Sequence, residues 1–92
     1  MKTIYTPRHR KLVELLTQKR KLAGLSQSEL ARRLNQYQSF IARIESGQRA
    51  IDVVEFLAIC EAIGRVTPTS ILRDVQKMPP MELGEPRNRR KK

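Results

Sequence analysis

The chain has 92 residues, 39% of them hydrophobic, with no tryptophan, a single cysteine and a formal net charge of +10 at pH 7. A chain this short makes one small domain with a modest core, which excludes a large enclosed enzyme pocket. The charge is spread over both parts: residues 1–75 carry thirteen basic and seven acidic side chains, net +6, and residues 76–92 carry six and two, net +4. That excess points to nucleic acid or another anionic surface, because neutralised phosphates release counterions without any sequence complementarity. Cys60 is alone, so an intrachain disulfide and a cysteine metal cluster are both excluded, and a buried, inert thiol in a reducing cytosol is expected. There is no apolar run of about 18 residues and no leader with a charged start and apolar middle, so no membrane partner is expected and the cytoplasm, at the nucleoid, is the expected location.

Thr6 and Pro7 read as N-cap and first residue of helix one, after a short extended start containing Ile4 and Tyr5. The helix runs to about Leu22, with Leu12, Leu15, Leu16 and Leu22 on its apolar face and Arg8, Arg10, Lys11, Lys19 and Lys21 outward, and Gly24 closes it. Ser26, with Glu29 three residues on, forms a capping-box pattern that starts helix two at Gln27. Leu30, Ala31 and Leu34 lie on one face of that helix, and the small Ala31 lets a steeply crossing neighbour approach. Asn35 tolerates the left-handed conformation of a helix end, so Leu34–Tyr37 reads as a turn. Helix three begins at Tyr37 or Gln38, buries Ile41 and Ile44, and stops at Gly47. Helix four spans Ile51 to Ile63, capped by Asp52, with Val53, Val54, Leu57, Cys60 and Ile63 assigned to its buried side and Gly64 at its end. Thr67-Pro68 opens a short helix five containing Ile71, Leu72 and Val75. No strand alternation persists and no repeat is evident, so the fold class is all-α: a compact five-helix domain over 1–76 followed by a disordered basic tail over 77–92.

From Leu25 to Gly64 the residues resemble the helix-turn-helix domain of the lambda-repressor and Cro class, the xenobiotic-response-element (XRE) family of regulators. Gln27 opens the motif, which spans 27–46, Ala31 sits five residues in, Ile41 and Ile44 are the buried pair, and Ile44-Glu45-Ser46-Gly47 is the exit. The stretch RAIDVVEFLAICEAIG, from Arg49 to Gly64, resembles the family's fourth helix. Two positions depart from the pattern: Asn35 stands where glycine is usual and Gln36 where an apolar residue is usual. The resemblance implies a five-helix lambda-repressor-like domain that binds double-stranded DNA as a sequence-specific transcription regulator, most simply a repressor. It also implies a homodimer on a two-fold symmetric operator, with helix five, through Ile71, Leu72 or Val75, as the pairing element.

With Ile41 and Ile44 inward, Gln38, Ser39, Ala42 and Arg43 face out. A helix of this kind fits the major groove, where glutamine can make two hydrogen bonds to adenine and arginine two to guanine. Gln38 and Arg43 are therefore the principal base readers, and the resemblance adds Ser39. Phe40 packs on a neighbouring helix in this reading, the alternative being a contact with a thymine methyl. Gln27, at a helix start with free N–H groups, suits a phosphate, and Ser46, Gln48 and Arg49 in the loop after helix three form a second phosphate clamp. Arg32 and Arg33 add general attraction. The resemblance pairs Glu45 with Arg20 as a structural ion pair between helices one and three. His9, the only histidine, reads as a solvated surface residue with no catalytic partner, and no glycine-rich phosphate loop exists. No enzyme activity, no metal and no cofactor are expected. An antitoxin-type protein that binds a toxin as well as DNA is the alternative function, and nonspecific nucleic-acid packaging a third, which leaves the polar Gln38-Ser39-Arg43 face unexplained.

Overall fold

The computed structural model describes residues 3–83. Its elements are a short 3-10 turn over Thr3–Tyr5 followed by five helices: α1 (Pro7–Leu22), α2 (Gln27–Arg33), α3 (Gln38–Glu45), α4 (Val53–Ile63) and α5 (Pro68–Gln76). The 3-10 turn replaces the extended start expected there, with Ile4 half-buried and Tyr5 58% exposed. The basic run Arg87–Lys92 and the expected tail beyond Leu83 lie outside the described residues.

Local chemistry sets the helix boundaries. The Thr6 side chain accepts from the His9 N–H at 3.2 Å, and Pro7 fills the first helical position, where a missing N–H costs nothing. Full capping boxes start two helices, Ser26 with Glu29 on α2 and Asp52 with Glu55 on α4. Helices α1, α2 and α3 end alike, with a residue of positive φ whose own N–H and that of its successor bond back into the last turn. At α2 these are Asn35 N–H to the Arg32 carbonyl (3.0 Å) and Gln36 N–H to that of Ala31 (2.9 Å). Asn35 adopts φ 57 at the place where α1 and α3 use Gly24 and Gly47, a left-handed conformation that asparagine visits more readily than other side chains.

One core joins the helices. Val13 and Leu16 of α1, Leu30 and Ala31 of α2, Ile41 and Ile44 of α3, Phe56, Ile59, Cys60 and Ile63 of α4 and Ile71 of α5 form a single buried cluster. Arg8 closes the ring of helices by donating from Nε to the Met78 carbonyl (3.1 Å) and from Nη2 to that of Gln76 (3.2 Å), which satisfies free carbonyls at the end of α5. Cys60 is fully enclosed, and burial pushes its thiol pKa up.

The buried faces of three helices differ from the sequence expectation. On α1 the inward stripe is His9, Val13, Leu16 and Arg20, while Leu22 is 75% exposed. Two polar members shift that stripe away from the one an apolar count selects. On α4, Val53 and Val54 are exposed and Leu57 is largely so, because Phe56 and Ile59 take the inward positions; a helix apolar nearly all round gives little phase information. On α5, Ile71 belongs to the core and Val75 packs against it, leaving only Leu72 facing out. Of Ile71, Leu72 and Val75, Leu72 is the one left exposed for the expected pairing contact between subunits.

His9 is buried, not solvated. Its Nε2 accepts the Ile51 N–H at 3.2 Å, which anchors the segment leading into α4, and its Nδ1 is buried without a partner. Accepting through Nε2 requires a neutral ring, and burial lowers the pKa from 6.5. Below about pH 6.5 the unfolded chain thus binds a proton that the folded one resists, so stability is full above that pH and falls as pH drops toward the lowered folded value. We expect the denaturation midpoint to fall between pH 7 and pH 5, and His9→Gln, which keeps an acceptor but cannot gain a proton, to flatten that fall. An equal pH slope in parent and variant would disprove the assignment.

Candidate nucleic-acid interface

Helices α2 and α3 cross closely because Ala31, 1% exposed, puts only a methyl group at the crossing. Ile41 and Ile44 seat α3 on the core, and their burial turns Gln38, Ser39 and Arg43 to solvent on its opposite side. Phe40 is half-buried against the core, with the Arg49 guanidinium 4.8 Å above its ring centre.

A chain of four side chains leads from inside the protein to this face. Arg20 donates from Nε to Glu45 Oε2 (2.7 Å) and from Nη2 to Oε1 (2.9 Å), a fork-to-carboxylate pair, and its Nη1 donates to the Leu25 carbonyl (2.7 Å). The two side chains are 8% and 12% exposed. Glu45 Oε1 also accepts from Gln27 Nε2 (2.8 Å), and Gln27 Oε1 accepts from Gln38 Nε2 (2.6 Å). Gln38 thus starts the outward face of α3 with its amide already oriented, and still offers Oε1 and one N–H.

The remaining site residues fall into two groups. Ser46 and Gln48 stay exposed in the loop after α3, Ser46 Oγ donating to the Arg43 carbonyl at 3.2 Å. Arg49, expected beside them, folds back instead: Nη1 and Nη2 donate to Glu55 Oε1 and Oε2 at 2.9 and 2.7 Å, and Nη1 also reaches the Ala50 carbonyl. The same pair, through its hydrogen bonds, holds the Glu55 carboxyl below the usual range. Arg33, exposed like Arg32 beside the turn, donates from Nη1 to the Ala62 carbonyl at 2.7 Å. Sequence reasoning missed the links of Gln27 to Glu45 and Gln38, which span 18 and 11 residues and leave no local pattern. Among the described residues no cluster of three or more His, Cys, Asp or Glu could hold a metal ion, and no helix is long and apolar enough to cross a membrane.

Because Arg20 and Glu45 are almost out of water, removing one strands the other. We expect Glu45→Ala to cost about 3 to 5 kcal/mol of stability in urea denaturation, well above the ~0 to 1 kcal/mol of a surface pair. A cost below about 1 kcal/mol would show that the two charges are solvated.

The comparisons with known proteins agree with this geometry. The Helix-turn-helix family model matches residues 16–71, from the middle of α1 to the first turn of α5. Among solved structures, the fold is similar to that of an XRE-family like protein from Pseudomonas syringae pv. tomato str. DC3000, with a TM-score of 0.72 and 40% identity over 79% of this chain and 88% of that one. No curated protein matches the chain. With the crossing at Ala31, the buried Ile41 and Ile44 and the polar outer face of α3 all lying inside the matched span, the chain belongs to the XRE family of DNA-binding helix-turn-helix proteins.

Proposed function

We propose that this protein is a sequence-specific transcription regulator, acting as a repressor by occupying its site, with α3 in the major groove. The observation that carries the proposal is the hydrogen-bonded chain from Arg20 through Glu45 and Gln27 to Gln38. Nonspecific attraction needs only charge, whereas a side chain fixed before binding loses less entropy on meeting one base edge. Gln38, with Oε1 and one N–H free, suits the N6 and N7 positions of adenine, Arg43 suits guanine, and Ser39 lies between them on the same exposed face. Phosphates are met by Gln27, Ser46 and Gln48, and Gln27 also positions Gln38. Arg49 holds the loop through Glu55.

Gln38→Ala and Arg43→Ala should leave the fold intact, weaken binding to a site selected from random DNA by about 1 to 3 kcal/mol each, and relax base preference at separate positions. Two variants that bind the selected site as tightly as the parent would refute the role of α3.

The same proposal includes a homodimer on DNA. One short helix reads few base pairs, and two copies on a two-fold site about one helical turn apart, ~10 base pairs, double the contacts. Sedimentation of the saturated complex should show two subunits per site, and one subunit would exclude the dimer.

A further inference from the structure

Tyr37 is the N-cap of α3 and makes no side-chain hydrogen bond to the helix start. Serine, threonine, aspartate or asparagine would accept from a free N–H there, and a tyrosine in this conformation does not. Nor does its ring serve the core: it is 84% exposed, while Gln36 beside it is exposed too. The residue therefore contributes neither a cap nor packing to the fold. It does line a shallow groove of about 680 Å³ with Ser28, Arg32, Asn35, Gln36 and Gln38, and so shares a rim with the proposed first base reader.

We propose that Tyr37 is a specificity-determining residue, whose ring packs on the C5 methyl of a thymine next to the base met by Gln38. The inference rests on the DNA-reading role of α3 proposed above. An exposed aromatic ring gains by covering apolar surface, and in the major groove the thymine methyl is the apolar feature that distinguishes one base pair from the others. The Arg20–Glu45–Gln27–Gln38 chain fixes the register, so the neighbouring ring meets the same step each time.

The test is a scan of the selected site in which each thymine in turn is replaced by deoxyuridine, removing only that methyl. For the parent protein one position, adjacent to the base lost on Gln38→Ala, should cost about 4-fold in affinity, the worth of roughly one buried methyl group. Tyr37→Phe should keep that penalty. Tyr37→Ser should bind the unmodified site at least about 4-fold more weakly, ignore the deoxyuridine, and unfold no earlier than the parent, since serine restores a cap. A flat scan with the parent, a penalty that persists in Tyr37→Ser, or an equal loss by Tyr37→Ser on selected and random DNA overturns the proposal, as does a selected site with no thymine at that step. If Gln38→Ala relaxes base preference while the scan is flat, only the Tyr37 assignment fails; if Gln38→Ala changes nothing, the reading of α3 fails with it.

Discussion

The pair of Arg20 and Glu45 is the contact on which the arrangement of the interface depends. It joins the C-terminal part of α1 to the last residue of α3, two elements with no covalent reason to stay in register. Bringing both charges out of water is expensive, and the geometry offsets the cost: two parallel hydrogen bonds between guanidinium and carboxylate, a third from Arg20 to the Leu25 carbonyl, and a fourth that Glu45 accepts from Gln27. A hydrophobic pair of similar volume could hold the two helices as firmly. It could not orient Gln27, because only a fixed acceptor selects which end of that amide points inward. The charge pair thus transmits order from the core to the surface, where an apolar contact would stop at packing.

The same logic explains why the helices end as they do. The exit of α2 and the entry of α3 are separated by four residues, Leu34 to Tyr37, and Asn35 must turn left-handed for Ala31 to lie at the crossing. The exit of α3 carries Gly47 and the loop to Asp52, whose backbone is held by His9 from α1 and by Arg49 with Glu55. Both ends of α3 are therefore tied to other elements, and its outer face can remain polar without loosening it.

Much of this was legible in the sequence because the signals are local. Thr6-Pro7, Ser26 with Glu29, Asn35 and Gly47 each declare a boundary within four residues, and those boundaries hold; Asp52 caps α4 as expected, with the helix starting at Val53 and not at Ile51. The faces were less legible where burial does not follow hydrophobicity. His9 and Arg20 occupy inward positions of α1 because each finds a partner there; the family resemblance pointed to the Arg20–Glu45 pair, whereas His9 read as a solvated surface residue. On α4 the sequence VVEFLAICEAI has apolar residues on every side, so only the arrangement of the other helices decides that Phe56 turns in and Val53 out. At the interface, residue types alone marked the exposed face of α3, but Gln27 gave no sign that it spans Glu45 and Gln38.

The basic composition also takes on a different meaning once the arginines are placed. Arg8 closes the end of α5, Arg20 binds Glu45, Arg33 binds the Ala62 carbonyl and Arg49 binds Glu55, so four guanidinium groups direct hydrogen bonds at the protein itself. Arg20 and Arg49 are also neutralised by carboxylates, whereas Arg8 and Arg33 keep their full charge while satisfying carbonyl groups. These two still contribute to the long-range field that draws a polyanion in, because a carbonyl cancels no charge. Net charge alone thus overstates the number of phosphate-directed donors and correctly reports the attraction. Under the proposed function, the contacts that hold a phosphate strand in register fall to the exposed Ser46 and Gln48, Arg32 adds general attraction, and selectivity falls to the few side chains that the folded protein presents already oriented.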